Sequence, residues 1–183
     1  MYQGDLPMKQ HRFSAVSIYP AAFLSVCILV ILDQYTKWLS CIYLKGKNEI
    51  ILIPGALELK YLYPENKGIA FGMFQGNVAF FAILTMIMSV LIIFLLIRIP
   101  KSSYYLPLIA TGVLMLSGAF GNLIDRICRG YVIDFIYFSL IDFPVFNLAD
   151  VYVVCSGILL VILVGFYYKE EDISCLFSEK KKN

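Results

Sequence analysis

The chain has 183 residues, of which 60% are hydrophobic and 15% charged, with a formal net charge of +2. Soluble domains average about 25% charged residues, and one core of this length cannot hide so much apolar surface. These values exclude an ordinary soluble domain, a disordered chain and a nucleic-acid binder, the last because so small a charge cannot build a phosphate-binding surface.

The apolar residues fall in charge-free blocks. Residues 16–32, 76–97, 104–124 and 151–168 each carry no Asp, Glu, Lys or Arg, and each is long enough for one crossing of a bilayer core, which takes about 17–25 residues. The expected fold is an all-α membrane protein with four transmembrane helices in a single domain covering 1–183. Helix 1 follows Lys9 and Arg12 and runs straight into Asp33-Gln34-Tyr35-Thr36-Lys37, with no small-residue cleavage site, so it reads as an uncleaved span. With the N-terminus cytoplasmic, segments 1–15, 98–103 and 169–183 hold 8 Lys and Arg in 36 positions, against 7 in 66 for the two opposite loops. That density favours both termini in the cytoplasm of a multi-pass membrane protein. Lys180–Lys182 reads as a solvated tail near anionic headgroups.

Between helices 1 and 2, Leu57-Glu58-Leu59-Lys60-Tyr61 alternates apolar and polar residues, a strand pattern. Ile50–Ile53 is a second β-prone run, and Pro54-Gly55 is turn chemistry. A small β element within the outer loop 40–65 is expected. The loop between helices 3 and 4 contains Tyr131-Val132-Ile133 and Phe135-Ile136-Tyr137-Phe138, also β-prone.

The polar residues carry the chemistry, because polar groups in or beside a membrane are costly and functional. Asp33, Thr36 and Lys37 are placed where helix 1 ends. Asn66, Gly68 and Gly72 precede helix 2. Asn122, Asp125, Arg126 and Asp134 follow helix 3, and Asn147 and Asp150 open helix 4. By parity of crossing, all four clusters lie on one face of the bilayer. The five cysteines are scattered, and the one histidine is His11, so neither a disulfide frame nor a metal site is expected and no cofactor is implied. Ser117 and Ser156 have only Lys37 as a partner base, a weak Ser–Lys arrangement. Paired aspartates remain, from Asp125, Asp134 and Asp150. Two close carboxylates share one proton, so one takes a proton from water and the other donates to a carbonyl oxygen.

At these residues the sequence resembles the bacterial lipoprotein signal peptidase family, signal peptidase II. Four motifs carry the resemblance, in order: D-x-x-T-K at Asp33, Thr36 and Lys37; N-x-G-x-A-F-G from Asn66 to Gly72; G-A-x-G-N-x-x-D-R from Gly118 to Arg126, with V-x-D-F at 132–135; and F-N-x-A-D at 146–150. Ser117 stands where the family usually has another glycine. The resemblance implies an aspartyl endopeptidase that removes signal peptides from diacylglyceryl-modified prolipoproteins, cutting just before the lipidated cysteine, with Asp134 and Asp150 as the catalytic pair. The general base and the acid are not distinguished. Asp125 is the rival pair member, but beside Arg126 it reads as an ion pair orienting the loop. Asn66, Asn122, Arg126 and Asn147 are expected to bind substrate. Asp33 and Lys37, one helical turn apart, are expected to form a supporting ion pair. Gly68, Gly72, Gly118 and Gly121 are expected at tight turns or close helix contacts. The β element over 48–63 is expected to act as a platform or lid, and the partners are lipid-modified prolipoproteins and membrane lipid, acting on a monomer. The competing reading is a small proton-coupled transporter using the same acids, which calls for polar groups along the midspans and inverted repeats.

Overall fold

The computed structural model describes residues 15–68 and 77–174. His11, Lys9 and Arg12, the Ala70–Gly72 part of the second motif, Cys175 and the Lys180–Lys182 run lie outside the described residues.

Four helices are long and apolar enough to cross a membrane. They are α1 (Ala15–Tyr43), α2 (Val78–Arg98), α3 (Leu106–Cys128) and α4 (Leu148–Ile162), the last continued by a π-type turn, Leu163–Tyr167. A short α5 (Glu170–Ser174) follows. Pro107 opens α3 at a position where its missing N–H has no helical partner to lose.

Helix α1 does not end at Asp33. It runs on to Tyr43, so Asp33, Thr36 and Lys37 lie inside it. The charges do not terminate the helix because Lys37 Nζ pairs with Asp33 Oδ2 at 2.8 Å on the same face, and Thr36 Oγ1 donates to the Asp33 carbonyl at 2.8 Å. Beyond them the exposed face carries Tyr35 stacked on Trp38 and then Tyr43, the aromatic character of a membrane–water boundary. In the same way Asn122, Asp125 and Arg126 belong to the last turns of α3 and do not follow it.

Helix α3 packs against α1, α2 and α4 and forms the centre of the bundle. Its small residues permit this. A Cβ on Gly118 would strike the Ala149 carbonyl oxygen and approach Val153 Cγ2 to 2.6 Å, and one on Gly121 would come within 2.5 Å of Asp33 Oδ2. Overpacking of this kind costs about 1–3 kcal/mol, and at Gly118 the obstacle is backbone, which yields least. Gly118→Ala is therefore expected to lower the unfolding midpoint in detergent and to spread α3 from the start of α4; an unchanged midpoint would remove this close approach as a requirement.

Both loops at one end join in one antiparallel sheet of order β1-β2-β3. Strands β1 (Ile50–Ile53) and β2 (Leu57–Leu59) form the expected hairpin, and the turn between them places Gly55 at φ +70°, where a side chain is disfavoured. Strand β3 (Ile136–Phe138) comes from the α3–α4 loop and pairs Leu57 with Phe138 and Leu59 with Ile136. Tyr131-Val132-Ile133 is not a strand; only Val132 pairs, with Asn66. Its neighbour Ile133 gives its N–H to Asp125 instead.

Candidate active site

The chain just past β2 runs beside the Asp134 backbone. Lys60 N donates to the Phe135 carbonyl at 2.9 Å and Leu62 N to the Asp134 carbonyl at 3.0 Å. The β element therefore clamps Asp134 from behind. Among the described residues, none of 48–63 lines the cavity beside the aspartates, and the contact of this segment with the site is this brace.

Asp150 reaches the same place by helix capping. Asn147 is the N-cap of α4: its side-chain oxygen accepts from Asp150 N at 3.0 Å, and Asp150 Oδ2 accepts from Asn147 N at 3.0 Å. This reciprocal box satisfies two orphan N–H groups of the first turn and points Asp150 inward. Asn147 is fully buried, and its Nδ2 donates to Asp134 Oδ1 at 2.7 Å. Asn147 thus touches both carboxyl groups, Asp134 through its side-chain amide and Asp150 through its backbone N–H. Asn66 Nδ2 takes the other Asp134 oxygen at 2.9 Å and Asn122 Nδ2 takes Asp150 Oδ1 at 2.8 Å. Asn66 Oδ1 in turn accepts from Gly68 N at 3.0 Å, fixing the turn that carries it.

Asp134, Asp150, Asn66, Asn122, Gly68 and Arg126 all line one cavity of about 490 Å³ between α2, α3 and α4. Its remaining walls are apolar side chains such as Met88, Met115 and Phe146. Asp134 is 3% exposed. Burial, with the Asp150 charge as the second cause, pushes its carboxyl up to about 7 against the opposing pull of the Asn66 and Asn147 donors. A carboxyl of that kind holds a proton near neutrality.

Asp125 is not part of this pair. Its expected partner, Arg126, is adjacent in sequence, and adjacent residues on a helix do not face each other. Arg126 turns to the cavity while Asp125 turns the other way, onto Lys37 Nζ at 3.0 Å and onto Arg129 four residues on. It also accepts from Gln34 Nε2 and Ile133 N. Asp33 likewise supports: its Oδ1 accepts from Ala149 N at 2.9 Å, tying α1 to the first turn of α4. Lys37, Asp33 and Asp125 are fully buried and stand behind the cavity wall. Gln34 and Arg129 were not singled out from the sequence. The i,i+4 spacing of Asp125 and Arg129 was the signal for the second; Gln34 had none beyond its place inside the first motif.

The midspan polar groups bond locally. Ser89, Thr111, Ser117 and Ser156 are buried, and their hydroxyls donate to carbonyls three or four residues back on their own helices. Ser117 and Ser156 thus bond their own helices while Lys37 bonds Asp33, Asp125 and Asn122. A second, larger cavity of about 630 Å³, lined by α1, α2 and α3, is almost wholly apolar and touches none of the cluster.

The profile of the family described as Signal peptidase (SPase) II matches residues 25–166. The chain is 40% identical over 146 residues to the lipoprotein signal peptidase of Caldanaerobacter subterraneus subsp. tengcongensis, covering 79% of this chain and 96% of that protein. It is 35% identical over 174 residues to the lipoprotein signal peptidase of Acinetobacter baumannii, covering 90% and 96%. Two solved bacterial membrane enzymes, both determined by the in meso method, share the fold. One has a TM-score of 0.75 at 28% identity, covering 96% of this chain and 99% of that one; the other has 0.72 at 31%, covering 82% and 96%.

Proposed function

The chain belongs to the signal peptidase II family of membrane-spanning peptidases that process prolipoproteins, and from that premise we propose that it is an aspartyl endopeptidase cutting just before the diacylglyceryl-modified cysteine. One observation carries the reading: Asp134 and Asp150, joined through Asn147, share the wall of a cavity between spans. Asp134 holds the proton and Asp150 is the base. A water placed between them gives a proton to Asp150 as its oxygen attacks the scissile carbonyl carbon, and Asp134 gives its proton to the carbonyl oxygen. When the resulting diol collapses, the C–N bond breaks. The leaving amine takes the proton from Asp150, and a diol hydroxyl returns one to Asp134.

The apolar walls from α2, α3 and α4 suit a signal peptide's apolar stretch lying in the bilayer, and Arg126, Asn66 and Asn122 suit peptide carbonyls or the lipid's polar head, whereas Asn147, expected to bind substrate, is fully buried off the cavity and supports the aspartates instead. Both aspartates come from one chain, so a monomer is a complete enzyme. The density of basic residues supports both termini in the cytoplasm, which sets the aspartates at the outer surface of the inner membrane, where a lipid anchor would hold the scissile bond.

The test is a gel-shift assay with purified protein and a diacylglyceryl-modified prolipoprotein. Cleavage at the lipidated cysteine, indifferent to chelator, is expected. Failure to cut the lipidated form, or equal cutting of the unlipidated one, would rule out this substrate class.

A further inference from the structure

The Lys37 ammonium has three N–H donors and three acceptors at hydrogen-bond distance: Asp33 Oδ2 at 2.8 Å, Asp125 Oδ2 at 3.0 Å and Asn122 Oδ1 at 3.1 Å. The side chain is fully buried and no donor is left for the cavity. Its hydrogen-bonded route to the aspartate pair is the third contact. Asn122 Oδ1 also accepts from Asn147 Nδ2 at 3.1 Å, and Asn122 Nδ2 donates to Asp150 Oδ1 at 2.8 Å. Turned over, the Asn122 amide would set its NH₂ against the ammonium and the Asn147 NH₂, and its oxygen against the Asp150 carboxylate. The cation therefore dictates which end of Asn122 meets Asp150.

We infer that Lys37 is a positioning residue of the aspartate pair: by holding the Asn122 oxygen it turns the Asn122 NH₂ onto Asp150, and through the Asn122 oxygen it also seats Asn147 between the two carboxyl groups. The inference rests on the aspartyl reading above. Lys37 and Arg129 offset Asp33 and Asp125 locally, and the Lys37 charge acts on the Asp134 carboxyl less than burial, Asp150, Asn66 or Asn147 does. The contact it makes with the pair's own partners is one of orientation. Loss of it leaves a carboxylate whose oxygen is no longer aimed, and a misplacement of about 1 Å in an active site lowers turnover about 10²-fold.

Lys37→Met alone leaves the buried Asp33 carboxylate without a cation, so the variant to use is Lys37→Met with Asp33→Asn, which removes one charge of each sign and keeps the Asp125–Arg129 pair. In the full-length protein on lipidated prolipoprotein, kcat is expected to fall about 10²-fold with KM nearly unchanged. In an Asn122→Leu background the same two substitutions should then cost almost nothing further, because the path they act through is gone. Wild-type kcat in the pair variant, or an equal loss in both backgrounds, overturns the inference. Asn122→Asp decides the matter independently of whether the pair variant folds: it keeps an oxygen for Lys37 but has no donor for Asp150, and wild-type turnover there also overturns it. Asp134→Asn and Asp150→Asn separate the two levels. Turnover in both defeats the aspartyl reading itself; inactivity in both with an unimpaired pair variant defeats only the role of Lys37.

Discussion

Asp134→Asn and Asp150→Asn are each expected to lower turnover of lipidated prolipoprotein by about 10²–10⁴-fold, the range set by loss of a positioned proton donor or acceptor. An amide keeps the volume and most hydrogen bonds of the carboxyl group but neither gives nor takes the proton. The pH dependence gives the direction. Asp134, raised to about 7, is the acid, so kcat/KM should fall as pH rises past about 7. The same shift acts on stability. The ordinary value is 3.8 and the folded value about 7, so the folded chain binds this proton more tightly than the unfolded chain. That stabilisation is full below pH about 4 and is lost as pH rises to about 7. Three pKa units correspond to at most about 4 kcal/mol. Asp134→Asn removes this slope, and at neutral pH it is expected to be more stable than the parent by about 1–2 kcal/mol. The gain is smaller than the limit because one new N–H must face the donor of Asn66 or Asn147. Unfolding midpoints of parent and variant across pH 4–8, with cleavage rates, check both parts. Wild-type turnover in both variants would end the aspartyl mechanism.

Lys37→Met is expected to be the most destabilising single change at a charged residue of the site, by about 3–5 kcal/mol. Lys37, Asp33 and Asp125 are all fully buried. Removing the shared cation leaves Asp33 with only the Ala149 and Gln34 donors, while Asp125 keeps Arg129. Replacing cation and carboxylate together, as in Lys37→Met with Asp33→Leu, should recover most of the loss, because a well-packed apolar pair carries no desolvation penalty. Lys45→Met supplies the contrast. Its pair with Glu65 is 3.0 Å long, but the lysine is 45% exposed, and solvent screening leaves such a surface pair with far less influence than a buried one. Chemical unfolding in detergent orders the three variants; a Lys37→Met loss no larger than that of Lys45→Met would mean the buried cluster does not hold the bundle together.

The sequence by itself determined what depends on composition and on spacing within one element. Four charge-free blocks specify four spans, since a bilayer core asks only for length and apolarity. Parity of crossing then brings the polar motifs to one end, and the Pro54-Gly55 turn and the Asp33–Lys37 spacing are legible because their partners are local. The tertiary structure alone decided contacts made across long stretches of chain. Adjacency suggested Arg126 for Asp125, but helix geometry turned the two apart and packing supplied Lys37 and Gln34. A charged pair suggested the end of α1, but burial against α3 neutralised it and the helix continued to Tyr43. The third strand came from the other loop, and the chain after β2 braced the Asp134 backbone, a contact between two loops far apart in sequence. Asn147, expected to bind substrate, became both the cap of α4 and the bridge between Asp134 and Asp150. The cap is local to residues 147–150, whereas the bridge exists only once α4, α3 and the sheet are packed around it.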